Sequence, residues 1–127
     1  MSILVAGGAG YIGAHVVRLL LERGDEVIVV DDLSYGSPER VEGAEVIKLD
    51  VASGQAVEVL ADAMERRGVT AVIHFAARKQ VGESVARPGW YYQQNVGGLA
   101  NMLLAMETAG VKQMIFSSSA AVYGMPP

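Results

Sequence analysis

Residues 3–13 read ILVAGGAGYIG, a short apolar run followed by four glycines. The glycines satisfy G-x-x-G-x-x-G from Gly7 and G-x-G-x-x-G from Gly8. Because glycine has no Cβ, a chain turning here from strand to helix can reach positive φ. It also lets a pyrophosphate approach bare amides at the helix N-terminus, where the dipole favours negative charge. The pattern alone is weak, since glycines also serve tight turns that bind nothing. The strand before it and the helix after it favour a dinucleotide-binding turn through Gly7, Gly10 and Gly13.

An acidic residue follows the next apolar run. Asp31 comes directly after VIVV and lies eighteen positions after Gly13. A carboxylate here can accept hydrogen bonds from both ribose hydroxyls of an adenosine, and it repels the 2′-phosphate of NADP. NAD is therefore the expected cofactor. Asp32 stands next to it and could share this role or cap the following turn.

The rest of the chain alternates short apolar runs with longer helical patterns. Strands buried on both faces of a parallel sheet are apolar at nearly every position, and β-α-β order implies right-handed crossovers. We therefore predict an α/β fold, a Rossmann-type doubly wound parallel sheet with strand order 3-2-1-4-5. The predicted strands are 3–6, 26–30, 45–49, 70–76 and 113–117, and the predicted helices are 12–23, 55–67 and 88–109. Residues 34–43 hold two glycines and a proline and are expected to form a loop with room for one short turn.

The composition limits the possible functions. With 127 residues the chain is the size of one domain, 1–127, too short for a cofactor domain and a substrate domain together. The net charge of -4 is spread along the chain and argues against a nucleic-acid partner. The absence of cysteine excludes disulfides and zinc ribbons, and two histidines leave little for a metal site. The glycine-broken opening resembles neither a signal peptide nor a membrane span, so no membrane partner and a cytoplasmic location are expected.

The long helical segment 88–109 allows two interpretations. One apolar stripe would pack on the sheet, and further apolar residues flank it, so the helix could be buried on more than one side. It either packs only on the sheet or also meets a partner subunit, which would make the protein a homodimer. The stripe consists of Val96, Leu99, Met102, Leu103 and Met106, and the flanks of Ala100, Leu104 and Ala105.

Other polar positions are ambiguous from the residues alone. Asp50 follows the third strand and could bind the adenine amino group, with Val51 against the ring, although an aspartate before a helix is as often a solvated cap. Residues 117–119 are three serines that could serve chemistry or simply satisfy backbone groups at a strand end. A serine hydrolase is not favoured, because neither histidine is near them; His15 and His74 are expected to be packing residues.

Seven motifs occur in order along the chain: GGAGYIG, DDLS, LDV, VIHFAA, VGESV, YYQQNV and FSSSAAVYG. Together they resemble the amino-terminal half of the extended short-chain dehydrogenase/reductase family, and within it the UDP-glucose 4-epimerases. HFAARKQVGESV is the most discriminating stretch. The resemblance implies Tyr11 and Ile12 at the pyrophosphate, Asp31 at the ribose, Asp50 and Val51 at the adenine, and Phe75, Ala76, Ala77, Lys79 and Asn95 along the cofactor. Ser117 is a further candidate cofactor contact, and Ser119 would be the catalytic serine that hydrogen-bonds the reacting sugar hydroxyl. Lys79 could instead be a solvated loop lysine.

The reaction implied by the resemblance is epimerisation of a UDP-hexose at C4. Hydride passes from C4 to NAD, the 4-keto sugar turns over, and hydride returns to the other face. The family's base is a Tyr-x-x-x-Lys pair, one helical turn apart. None of the five tyrosines here has a lysine four positions later. We therefore expect the amino-terminal part of a longer enzyme, incomplete relative to its family, without the substrate domain and inactive alone.

Two alternatives stay open. The chain could be a complete, non-catalytic dinucleotide-binding module. It could also belong to another extended short-chain nucleotide-sugar enzyme, a dehydratase or decarboxylase, although the His-Asp-Arg-containing segment typical of the dehydratases is missing.

Overall fold

The computed structural model describes residues 1–8, 11–33, 38–75 and 88–116. Strands and helices alternate through them as the apolar runs predict. In chain order they are β1 (Ser2–Ala6), α1 (Tyr11–Glu22), β2 (Glu26–Asp31), a 3₁₀ helix (Pro38–Val41), β3 (Glu45–Lys48), α2 (Ala56–Arg66), β4 (Ala71–His74), α3 (Pro88–Ala109) and β5 (Gln113–Phe116). Every predicted strand and helix is confirmed, with ends shifted by at most two residues. The 3₁₀ helix occupies part of the segment predicted as a loop.

The strands pair in parallel in the order β3-β2-β1-β4-β5, which confirms the predicted topology. Leu4 in β1 pairs with Ile28 of β2 on one side and with Val72 of β4 on the other, and all three are fully buried. Burial on both faces explains why these strands are apolar throughout instead of alternating. Because the sheet is parallel, the carboxyl ends of its strands lie along one edge, called here the carboxyl edge.

Successive strand residues point into two core layers on opposite faces of the sheet. Leu4 lies in the layer covered by α2 and α3, together with Leu60 and Met102. Val5 lies in the layer covered by α1, together with Val17. Each such side chain contributes about 1.5–3 kcal/mol when fully buried. The sheet is thus held between α1 on one face and α2 with α3 on the other.

The orientation of α3 differs from the predicted stripe. Met102 and Ala105 are buried, but Val96 is 47% and Leu103 is 48% exposed, so the assignment of these two to the sheet-facing stripe is wrong. The helix is apolar on nearly all sides, and its periodicity therefore does not show which side meets the sheet. The buried side includes Gly98, where a Cβ would lie 2.8 Å from a valine side chain that follows β3. The absence of a side chain at Gly98 thus determines how closely α3 approaches.

Candidate dinucleotide site

The turn between β1 and α1 is built around Gly7. Its φ of 81° lies in the left-handed region that residues with a Cβ rarely adopt. Its N–H donates to the carbonyl oxygen of Val30 at 2.7 Å, so the chain leaves β1 while still bonded to the end of β2. Tyr11 is the first residue of α1 and Ile12 is exposed. Gly10 lies outside the described residues.

The start of α1 lies directly against this turn. A Cβ on Gly13 would meet the Gly7 carbonyl oxygen and would lie 2.9 Å from Gly8 Cα, and both are backbone atoms. A Cβ on Gly8 would lie 2.9 Å from a methyl group of Val29 in β2. The helix can approach the turn so closely only because these positions lack side chains. This close approach fits a dinucleotide, which needs bare amides at the helix N-terminus.

Asp31 ends β2 at the carboxyl edge and is half-buried. Its Oδ1 accepts a hydrogen bond from the backbone N–H of Leu33 at 2.7 Å. The carboxylate of Asp31 therefore closes the turn after β2. Capping of this turn is one of the two functions that the sequence allows for Asp32. Asp32 follows at a half-buried position, and a contact between it and a cofactor remains a prediction.

Asp50 and Val51 lie beyond β3 in the connection to α2. Asp50 Oδ1 accepts from the backbone N–H of Ala52 at 2.9 Å and so closes a local turn, whereas the N-cap position of α2 is Gln55. Val51 is only 6% exposed and packs in the core layer of α2 and α3. An adenine at this edge would therefore meet little of the Val51 side chain, and the adenine contacts stay a prediction.

Asn101 in α3 was missed by the sequence reasoning. Its Nδ2 donates to the carbonyl oxygens of Val51 at 2.8 Å and Ser53 at 3.1 Å, which ties the β3–α2 connection to α3. The only signal for it is a polar residue within an otherwise apolar helix segment. Asn95, the predicted cofactor contact on the same helix, is half-buried about two turns from the start of α3.

The end of β4 holds a buried imidazole. His74 is 2% exposed, its Nδ1 has no hydrogen-bond partner among the described residues, and burial lowers its pKa from 6.5 to about 4. Its ring stacks on Phe116 of β5 with centroids 5.5 Å apart and an interplanar angle of 20°. The prediction of a packing role is confirmed for His74. For His15 it is wrong, because His15 is exposed on α1 and accepts at Nδ1 from the Arg18 guanidinium at 3.0 Å.

Phe75 follows β4 at the same edge. Its N–H donates to the carbonyl oxygen of Ala6 at 2.6 Å, and its side chain packs against the core layer of α1. The remaining predicted site residues, Ala76, Ala77, Lys79, Ser117 and Ser119, lie outside the described residues. Predicted site residues therefore lie at the carboxyl ends of four neighbouring strands. The glycine turn follows β1, Asp31 ends β2, Asp50 lies beyond β3 and Phe75 follows β4. Open α/β sheets bind ligands at this edge.

Two absences apply to the part of the chain that the structure describes. Its histidine, aspartate and glutamate residues include no group of three or more that could hold a metal ion. None of its helices has both the length and the apolarity needed to cross a bilayer.

Residues 3–127 match the model of the NAD dependent epimerase/dehydratase family. The chain belongs to this family. The resemblance expected from the motifs is thereby confirmed, and NAD as the family's cofactor is confirmed as well.

Individual members of the epimerase/dehydratase family share the whole length of the chain. It is 47% identical over 129 residues to the UDP-glucose 4-epimerase of Erwinia amylovora, covering 98% of this chain and 38% of that relative. It is 46% identical over 136 residues to the UDP-glucose 4-epimerase of Klebsiella pneumoniae, covering 100% of this chain and 95% of that relative. A crystal structure of the Stenotrophomonas maltophila UDP-glucose 4-epimerase, with bound NAD and formylated UDP-arabinopyranose, matches with a TM-score of 0.88 at 38% identity. That match covers 97% of this chain and 38% of the other, so the chain spans well under half of two of these relatives.

Proposed function

We propose that residues 1–127 form the NAD-binding part of a UDP-hexose 4-epimerase. The observation that carries the proposal is the close packing of Gly13 against the backbone of Gly7 and Gly8. A side chain at Gly13 would separate the start of α1 from the turn that presents its amides. Family membership and the NAD-bound relative support the same conclusion.

The proposed contacts follow the strand ends. The pyrophosphate lies at Gly7, Gly10 and Gly13 with Tyr11 and Ile12, and the ribose hydroxyls donate to Asp31, with Asp32 beside it. Asp50 and Val51 lie at the adenine, and Phe75, Ala76, Ala77, Lys79, Asn95 and Ser117 lie along the remainder of the cofactor. Bound NAD supplies a hydride acceptor for the sugar carbon. Ser119 hydrogen-bonds the hydroxyl group at that carbon.

Calorimetric titration of the 127-residue chain with NAD and NADP tests the binding proposal. Tighter binding of NAD is expected, since the Asp31 carboxylate accepts from the ribose hydroxyls and repels a 2′-phosphate. Asp31→Asn should weaken NAD binding by about tenfold and narrow the preference over NADP, because it removes charge-assisted hydrogen bonds. Asp62→Asn is the control, because Asp62 is exposed on α2 and contacts Arg66. Equal affinities of the unsubstituted chain for NAD and NADP would contradict the proposal.

The catalytic part of the proposal concerns the longer protein. The same purified chain should not interconvert UDP-glucose and UDP-galactose, because it contains no tyrosine with a lysine four positions later. The sugar nucleotide in the crystal structure of the Stenotrophomonas maltophila relative supports a UDP-sugar as the substrate, and the UDP-glucose 4-epimerases among the relatives support a hexose. Turnover by this chain alone would contradict the proposed inactivity. NAD binding without turnover fits both the NAD-binding part of an epimerase and a non-catalytic module.

A homodimer through α3 belongs to the same proposal, as does a cytoplasmic location. On the side of α3 that faces away from the sheet, Val96, Leu103 and Leu104 are each about half exposed. A surface with this many apolar side chains is typical of a protein interface. The molar mass of the chain in solution tests the interface.

A further inference from the structure

Leu33 has a backbone conformation that its residue type disfavours. Its φ of 64° lies in the left-handed region, where the Cβ of an L-residue crowds its own backbone. Among the described residues other than glycine, it alone has a positive φ. Strain of this kind persists only where surrounding contacts hold it in place, and it concentrates at functional sites.

Two contacts hold Leu33 in this conformation. Its side chain packs against the core layer of α1, which includes Val29 of the neighbouring strand. Its N–H donates to Asp31 Oδ1 at 2.7 Å, within the usual range for a bond from an amide to a carboxylate. The partly buried side chain thus holds the backbone, and the backbone amide holds one oxygen of the carboxylate.

From this we infer that Leu33 is a positioning residue that orients the Asp31 carboxylate for the adenosine ribose and thereby sharpens the preference for NAD over NADP. The inference rests on the proposed NAD-binding function and names a residue on which the preference for NAD over NADP depends. A carboxylate held by a backbone amide rotates less readily away from an incoming 2′-phosphate. The carboxylate also loses less conformational entropy when the ribose hydroxyls bind.

The Leu33 amide occupies one of the roughly four lone-pair directions on the two oxygens of the Asp31 carboxylate. No sequence signal marks Leu33, because the leucine in DDLS resembles any apolar residue after a strand. Only the combination of its φ, its burial and its hydrogen bond points to the function.

The first experiment measures the Leu33 amide in the nucleotide-free, ¹⁵N-labelled chain. We expect slow hydrogen exchange and a downfield proton shift, both lost in Asp31→Ala, because this amide donates to a carboxylate. If the amide exchanges like a solvated loop amide, or does not respond to Asp31→Ala, the inference is wrong whatever the chain binds.

The second experiment measures the dissociation constants of NAD and NADP for substituted chains. Leu33→Ala removes most of the apolar anchor but keeps the Cβ that disfavours a positive φ, so it should weaken NAD binding by about five- to tenfold, with NADP binding changed by less than about twofold. Leu33→Met keeps an apolar side chain and should leave both constants within about twofold. Leu20→Ala is the matched control, because Leu20 packs against the same core layer from α1. It should lower the melting temperature without changing the ratio of the two constants.

The outcomes separate the inference from the proposed function. An unchanged ratio of the NAD and NADP dissociation constants in Leu33→Ala, with normal binding by the unsubstituted chain, overturns the inference alone. The same ratio change in Leu20→Ala also overturns it, since general loosening of the core would then explain the effect. Failure of the unsubstituted chain to bind NAD overturns the proposed function, and the selectivity claim with it.

Discussion

Acidification should destabilise this protein through His74. The imidazole is buried and neutral, and burial lowers its pKa in the folded chain from 6.5 to about 4. In the unfolded chain the imidazole is solvated and titrates near its ordinary pKa. Above pH 6.5 the imidazole is unprotonated in both the folded and the unfolded state, so its protonation does not change the free energy of unfolding there. Between pH 6.5 and 4 only the unfolded state binds it, and the free energy of unfolding falls as the pH falls.

The size of the loss follows from the two pKa values. One pKa unit corresponds to about 1.4 kcal/mol, so the full loss below pH 4 is about 3 kcal/mol. A domain of this size typically has 5–15 kcal/mol of stability, roughly, so one side chain removes a large part of it. The stack on Phe116 does not offset this loss, because it is present in the neutral folded state at every pH above 4.

Urea denaturation of the native chain and of His74→Leu from pH 7.5 to pH 4 measures this effect. Leucine fills a similar volume, carries no proton and removes the unpaired Nδ1. The native chain's stability relative to His74→Leu should fall by about 3 kcal/mol across this range. Carboxylates such as Glu45, whose pKa is lowered by the hydrogen bond from Arg66, titrate in both proteins and cancel in the difference. Parallel stability curves for the two proteins would refute the reasoning.

Two further predictions concern the glycine turn and α3. Gly13→Ala places a Cβ 2.9 Å from Gly8 Cα, so it should lower the free energy of unfolding by about 3 kcal/mol and abolish NAD binding. Gly97→Ala is the control, because its Cβ would have its nearest neighbour at 3.9 Å, and it should raise the melting temperature slightly. Equal melting temperatures for the two variants would count against the close packing. Leu103→Glu should convert the proposed dimer to a monomer, as measured by light scattering. Leu19→Glu is the control, because it makes the same change at an equally exposed position of α1, and it should leave the dimer intact. A native chain that is monomeric at tens of micromolar would exclude the interface.

The fold could be predicted almost completely from the chain's apolar runs. Central strands such as β1 and β2 are buried on both faces, so each appears as an uninterrupted apolar segment with a clear beginning and end. The orientation of α3 could not be predicted in this way. Val96 and Leu103 resemble core residues in the sequence, and only the assembled fold, with Gly98 packed against Val51, shows that they face outward.

The candidate site was predictable in position but not in its hydrogen bonding. Gly7 and Asp31 follow strand ends, and a parallel sheet necessarily brings such residues to one edge. The bond from Asn101 to the Val51 carbonyl oxygen joins residues 50 positions apart, and no local pattern indicates it. The left-handed conformation of Leu33 is supported by packing against the core layer of α1, which is equally a property of the assembled fold.

The central place of β1 has a consequence for synthesis of the chain. β1 pairs on one side with β2, which follows it closely, but its other partner is β4, and Thr70 bonds back to Ser2 across 68 positions. A ribosome needs roughly 2–8 s to add the residues that separate β2 from β4. During that interval the future middle of the sheet is an open edge with unpaired amides and carbonyls. The nascent chain is therefore most exposed to mispairing at β1, the strand that is best protected once folding is complete.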